Sequence, residues 1–299
     1  MSTHFTFQAI GTTWDIDIPL SLDPSREKNL LSAIKKRIDE FDRTYSRFRE
    51  DSLVSLMAKK AGEYILPEDA LLMMTLYREM YEATDGLMTP LVGQVLVDAG
   101  YDAAYSLQPK SEIKSAKNWD DVMSYEHPVL IIKEPVLLDF GAIGKGYLID
   151  IVAAIIRDHG IKSYTINAGG DIAYKSEADK ALRIGLEDPK DVKKAVGVAN
   201  ILDMSMCGSA GNRRVWDRFH HIINPLTVES PKHILGLWTV AGSTALADAL
   251  STALFFMKPE DVEKKLKTKY HFEYAIVYAD GSARVSKSFP GNFFGAEEV

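Results

Sequence analysis

The chain has 299 residues, 46% of them apolar, with 35 Lys and Arg against 42 Asp and Glu for a formal net charge of −7. Those values describe a globular protein with a substantial core, and the acidic balance argues against a non-specific nucleic-acid binder, which carries a basic field. Its one cysteine, Cys207, excludes an internal disulfide framework and a cysteine-cluster metal site.

The opening residues, "MSTHFTFQAIGTTWDIDIPL", alternate like strands and lack a basic segment followed by an apolar run. No stretch of 18 or more apolar residues is present to span a bilayer. The expectation is a cytoplasmic protein with no membrane and no nucleic-acid partner. Phe5 to Ile10 and Thr13 to Ile18 read as a hairpin around Gly11. From Ser25 a helix is expected, with Leu30, Leu31, Ile34, Ile38 and Phe41 on one face. A second helix is expected from Pro67 to about Ala83, with Gly86 beyond its end. The stretch from Gln108 to Pro128 is polar and reads as peripheral, although Trp119 needs a packing partner. Val129 to Ile132 and Val136 to Leu138 read as strands that lead into a glycine-rich loop.

Beyond that loop, Leu148, Ile151, Val152, Ile155 and Ile156 form a helical stripe that stops at Gly160. "SYTINAGGDIAY" reads as strand, glycine turn and strand, and several short strands follow. A helix from Ser243 to Met257, another helix, and a β-rich segment around Ala275 to Tyr278 complete the chain. Strands and helices in mixed order predict an α+β fold. No composition shift divides the chain, so 1–299 reads as a single domain.

Three segments carry chemistry. The first, "DFGAIGKGYLID", spaces its glycines as G-x-x-G-x-G around Lys145, which is neither the dinucleotide nor the P-loop pattern. It still holds the ingredients of a phosphate site: glycines for close backbone approach, amides at a helix N-terminus, and a cation. From the loop alone, a strand-to-helix turn packed tightly at its glycines is an equal reading. The second is "AGSTALADALSTALFF", where Ser243 is a plausible N-cap. Asp248 and Thr252 lie four apart, so their oxygens project from one helix face amid apolar neighbours. A hard cation is one partner for such a carboxylate. The other reading has Asp248 capping a neighbouring backbone and Thr252 bonding back within its helix. The third is "RFHHIINP", where His220 and His221 sit adjacent on an expected strand and face opposite sides. No further Cys or His cluster makes them a zinc site, and a structural role is the default.

Together these segments resemble the ApbE family, the FAD:protein FMN transferases. The resemblance rests on "AIGTTWDI", "EATDGLMTPLVG", "LLDFGAIGKGYLID", "INAGGDI", "FHHIINP" and "ADALSTALF", which occur in the family's order across nearly the whole chain. It implies that the glycine loop serves the pyrophosphate of FAD, held with Mg²⁺. It further implies metal ligation by the Ala142 carbonyl, Asp248 and Thr252, an all-oxygen set of the kind Mg²⁺ prefers. FAD contacts fall on Asp139, Lys145 and Ile222, on Ile10 where the family usually has Met, and on Phe48 as an aromatic neighbour. Leu87, Met88 and Thr89 match a segment that usually reads small–aromatic–Asp. His221 occupies the position suited to assisting proton transfer.

The implied reaction transfers FMN from FAD to a Thr or Ser hydroxyl of an acceptor protein and releases AMP. An Mg²⁺-dependent FAD pyrophosphatase and a non-catalytic FAD-binding protein are the alternatives. Several positions depart from the family pattern. Thr89 replaces the usual acid, Asn224 the usual Asp of the His-Ile-Ile-Asp-Pro motif, and "NPLTV" lacks the usual Arg and Gly. Met57 and Ala58 stand where an Asn is usual after "SLVSL". These departures bear on acceptor recognition and flavin pose, while the expected metal ligands and loop are intact.

Overall fold

The computed structural model of the chain describes residues 2–294, so both extreme ends of the expected 1–299 domain lie outside the described residues. The N-terminal hairpin forms as its alternation predicts, Thr3–Ala9 pairing with Thr12–Ile18. Its two-residue turn places Ile10 at φ 43° and Gly11 at φ 76°. Glycine adopts such a backbone freely, whereas a β-branched residue is strained there. Thus Ile10 is held in place by the hairpin on either side of it.

That hairpin forms one edge of an eight-stranded antiparallel sheet. The order continues through Tyr164–Ala168, Asp171–Lys175, Ser205–Ala210, Ile234–Ala241, Phe272–Tyr278 and Ala283–Val285. Both faces of its centre are covered, which explains why Phe272–Tyr278 is apolar almost throughout. Tyr274 and Ile276 enter the helix-side core. Ala275 and Val277 face a second core with Leu186, Ala199 and Ile201 of a small three-stranded sheet, Leu182–Asp188, Asp191–Ile201 and Gly291–Phe293. On the helix side lie Pro24–Tyr45, Gly144–Asp158 and Thr244–Phe256. Mixed helices and antiparallel sheets make the protein α+β. Among the described residues no helix is long and apolar enough to cross a membrane.

One irregularity in the large sheet positions the site. Ser205–Ala210 meets Ile234–Ala241 through six Cα pairs but Asp171–Lys175 through only two, Ser205 with Ala173 and Met206 with Ile172. Beyond Met206 the strands part, and Asp171 and Cys207 stand at the opening.

Three sequence expectations need correction. Val136 to Leu138 is extended but not a strand, because its backbone is satisfied elsewhere: Val136 N–H donates to the Met57 carbonyl and Asp139 N–H to the Pro90 carbonyl. The apolar run there serves burial, with Leu138 in the core. The helix expected from Pro67 begins at Ala70, after a turn in which the Pro67 carbonyl accepts from Ala70. The polar stretch contains a strand, Met123–Glu126, paired with Val129–Ile132, and Trp119 is buried against Tyr81.

Candidate active site

The glycine-loop helix Gly144–Asp158 packs directly on the late helix Thr244–Phe256, and Gly146 is the point of closest approach. A Cβ at Gly146 would lie 2.4 Å from the Thr244 carbonyl oxygen and 2.7 Å from Cβ of Asp248. Only glycine permits that spacing. The Gly146 N–H donates to Asp248 Oδ2 at 2.9 Å. This amide would ordinarily reach back to the Ala142 carbonyl, and among the described residues no other backbone N–H donates to that carbonyl. Asp150, one turn further on, accepts from the N–H groups of Thr244 and Ala245 at 2.9 and 2.8 Å. Each helix therefore caps the other with a carboxylate, which suits the positive end of a helix dipole.

Asp248 is buried, and every other residue of its helix except Thr252 and Phe256 is buried too. Its capping of Gly146 fulfils half of the structural alternative read from sequence. The other half is not seen: Ser251, not Thr252, donates back to the Asp248 carbonyl, at 2.8 Å. Thr252 is partly exposed and its hydroxyl makes no hydrogen bond among the described residues.

Opposite Asp248 stand Asp171 and Cys207, from the parted strands. One ligand atom from each of the three lies within 4.8 Å of the others, the one such His/Cys/Asp/Glu group among the described residues. Lys145 forms an ion pair with Asp171, which is almost wholly buried. The partly exposed Lys145 thus pairs with one of two buried carboxylates, and Asp248 stands close by. Burial pushes the Asp248 carboxyl above the usual carboxylate range, opposed by Lys145 and the Gly146 amide. Burial also pushes the Cys207 thiol well up, which keeps it protonated, and its S–H faces the Thr244 carbonyl at 3.5 Å. Beneath the loop the hydroxyl of Tyr77 is buried without a partner. Burial raises its pKa, and the charges of Asp139 and Asp248 add to the shift.

Asp139 opens the loop and both its oxygens are used. Oδ1 accepts the Gly141 N–H at 2.7 Å, and Oδ2 pairs with the buried guanidinium of Arg47. Arg47 also donates to the Tyr101 carbonyl at 2.7 Å and lies 4.1 Å from the ring centroid of Phe48. Phe48 stacks on Tyr105 with centroids 5.5 Å apart, and both rings are partly open to solvent. Asp139 therefore ties the loop to an exposed aromatic shelf.

The remaining sequence-selected residues fall into place around this centre. Thr89 is buried and uses its hydroxyl to accept the Leu91 N–H at 3.2 Å, capping a short turn whose Pro90 carbonyl holds Asp139. Leu87 is half-buried, whereas the Met88 side chain is core, so Met88 has only backbone to offer a ligand. Ile222 is also core, and its N–H is taken by His220 Nδ1 at 3.2 Å. Ile10 lines a separate shallow cleft with Phe7, Lys35 and Asp42, and neither Asp171 nor Asp248 lines it. Asn224 accepts from Leu226 and Thr227 through Oδ1, at 2.9 and 3.1 Å, the turn-forming role an Asp would fill.

The two histidines divide as their adjacency predicts, although the strand ends at His220. His220 is buried, with a ring nitrogen 2.9 Å from the Pro231 carbonyl. His221 turns away, its Nδ1 3.1 Å from the Arg213 carbonyl. Enclosure by protein, with Arg214 and Lys145 nearby, lowers the His221 pKa to about 4. It is neutral at neutral pH and able to accept a proton. A concavity of about 890 Å³ lies among Arg218, Asn224, Lys232 and Phe255. None of Asp139, Lys145, Asp171 or Asp248 lines it, so volume does not mark the chemical centre.

The profile of the ApbE family matches residues 10–276. The chain belongs to the ApbE family. Curated relatives include the FAD:protein FMN transferase of Escherichia coli strain K12, 26% identical over 285 residues covering 87% of this chain and 80% of the relative. The FAD:protein FMN transferase of Treponema pallidum is 26% identical over 308 residues, covering 93% and 84%. Among solved structures, the ApbE protein of Thermotoga maritima superposes with a TM-score of 0.82 at 22% identity, covering 96% of this chain and 98% of that one. The flavin transferase ApbE of Vibrio cholerae gives 0.78 at 20% identity, covering 97% and 98%. At these identities the structural likeness speaks for the fold.

Sequence reasoning missed Arg47, Asp171, Tyr77 and Asp150. Asp171 sits inside "NAGGDI", and no local pattern marks it as the partner of Lys145. Only the sheet pairing reveals it.

Proposed function

We propose that this ApbE-family protein is an FAD:protein FMN transferase, which attaches FMN to a Thr or Ser hydroxyl of an acceptor protein and releases AMP in an Mg²⁺-dependent reaction. The observation that carries the reading is the pair of buried carboxylates, Asp248 and Asp171, with Lys145 at the amino end of the Gly144–Asp158 helix. Two buried acids outnumber the one ammonium beside them, and a bound cation would favour the ionised form of both. The relatives' names and the loop's suitability for a pyrophosphate point the same way.

The donor set fits Mg²⁺. Asp248 and Thr252 share a helix face, and among the described residues no backbone N–H donates to the Ala142 carbonyl. These are oxygen donors, as the ion prefers. When bound, Mg²⁺ supplies charge neutralisation on the pyrophosphate.

The protein groups do the rest by position. Lys145 and the loop amides face the pyrophosphate oxygens, where negative charge builds. The acceptor hydroxyl oxygen bonds to the FMN-side phosphorus, and the phosphorus–oxygen bond to AMP breaks, with AMP keeping the electron pair. His221 takes the hydroxyl proton. Its low pKa makes it a weak base, and a bound anionic substrate would oppose that shift. General-base help of this kind is worth about 10²–10⁴-fold. The aromatic shelf of Phe48 and Tyr105 offers a stacking face for a ring of FAD.

The test is AMP release against Mg²⁺ concentration for the wild type, Asp248→Asn and Thr252→Val. Asp248→Asn keeps the side-chain size and removes the charge, and should lower turnover at least about 100-fold, more than it weakens FAD binding. Thr252→Val should be milder, since water can replace one neutral ligand. Normal turnover of Asp248→Asn at low Mg²⁺ would make the carboxylate structural.

A further inference from the structure

We propose that Asp171 belongs to the cation-binding set with Asp248, that the two carboxylates capture the divalent ion before FAD arrives, and that capture releases the Lys145 ammonium from Asp171 to the pyrophosphate. This rests on the Mg²⁺-dependent reading of the same site and adds a residue and an order of events to it.

Asp171 is 1% exposed, and its Oδ2 is the oxygen that pairs with the Lys145 ammonium. Among the described residues no other charged side chain pairs with it. Its Oδ1 has a weak neighbour in the Gly208 N–H, at 3.4 Å. A carboxylate so placed is expensive unless strongly ligated, because burial removes its water and gives little back. The strand that carries it parts from its neighbour at this point, and the carboxylate stands near Asp248. Two oxygens on one Mg²⁺ stand about 3–4 Å apart at its usual bond lengths. Ligand atoms of Asp171 and Asp248 already lie within 4.8 Å, so a small approach brings both to one ion.

Lys145 then reads as a cation standing in for the metal. It comes from the loop that faces the pyrophosphate, yet its ammonium is spent on Asp171. A divalent ion between the carboxylates takes over that neutralisation and frees the lysine. Cys207 completes the same geometric group, but its S–H is directed at the Thr244 carbonyl and a hard ion prefers the oxygens.

The experiment is calorimetric titration of MgCl₂ into the full chain without FAD, for the wild type, Asp171→Asn, Lys145→Met and Asp248→Asn. Asp171→Asn is expected to weaken Mg²⁺ binding at least about tenfold. Lys145→Met is expected to tighten it by about tenfold or more, since the competing ammonium is gone; misfolding cannot imitate a gain. The proposal is overturned if Asp171→Asn binds within twofold of the wild type, or if Lys145→Met binds no more tightly. It is also overturned if neither the wild type nor Lys145→Met binds Mg²⁺ without FAD. Loss of binding in Asp248→Asn alongside full binding in Asp171→Asn sinks this inference and leaves the metal reading intact. Full binding in Asp248→Asn removes the metal reading itself, and this inference with it.

Discussion

The N–H of Gly146 and Oδ2 of Asp248 meet at 2.9 Å across 102 positions of the chain, and this bond fixes where a carboxylate stands relative to the glycine loop. The contact depends on the missing side chain. Gly146→Ala would drive a methyl group against the Thr244 carbonyl and Asp248 Cβ, both fixed by helix packing. We expect a loss of about 1–3 kcal/mol, read by urea denaturation, together with a fall in AMP release larger than the stability loss explains.

Asp150 should matter for stability. Its carboxylate takes two N–H groups at the start of the Thr244–Phe256 helix, in a site where burial raises its pKa. Asp150→Ala leaves both donors unsatisfied and should cost about 1–3 kcal/mol, again measured by denaturation. Asp150→Asn retains one acceptor and should lose less.

Much of this was legible in the sequence, and the boundary is physical. The hairpin at Gly11, the cap at Ser243 and the stripe after Gly144 are set by neighbours in the chain, and period and turn chemistry reveal them. The Ser243 hydroxyl does accept the Leu246 N–H, at 3.3 Å. What sequence could not show is decided by pairing between distant segments. Met123–Glu126 is a strand because Val129–Ile132 offers it a ladder, while Val136 to Leu138 is apolar yet has no strand beside it. In the site, Lys145, Asp139 and Asp248 could be selected from motifs. Their partners Asp171 and Arg47 could not, since the sheet register brings one and a pair separated by 92 positions brings the other.

Arg47 carries the next prediction. It is buried, pairs with Asp139, and keeps one guanidinium nitrogen without a partner. Removing one member of such a pair leaves the other charge stranded. Arg47→Ala should therefore destabilise the protein by about 3–5 kcal/mol, and Asp139→Asn/Arg47→Met together should recover part of that loss. A double-mutant cycle in urea measures the coupling, and additive losses would show that the pair is not coupled.

His221 gives a pH signature. Its pKa falls from an ordinary 6.5 to about 4 in the folded protein, chiefly by burial. Between those values the unfolded chain holds a proton that the folded chain lacks, so the group's contribution to stability is full above pH 6.5 and declines as pH falls toward 4. His221→Asn should flatten the stability profile in that window, relative to the wild type, and leave the profile above pH 7 unchanged. Parallel profiles for the two proteins would contradict the assignment.

The central claim is transfer of FMN to a protein hydroxyl. Its most direct measurement is the intact mass of an acceptor protein, incubated with this protein, FAD and MgCl₂, with AMP quantified in the same mixture. The account predicts an acceptor heavier by one FMN phosphoester, at a Thr or Ser, with one AMP per adduct. AMP with free FMN and an unmodified acceptor would contradict transfer and identify a pyrophosphatase; bound FAD without AMP would identify a binding protein.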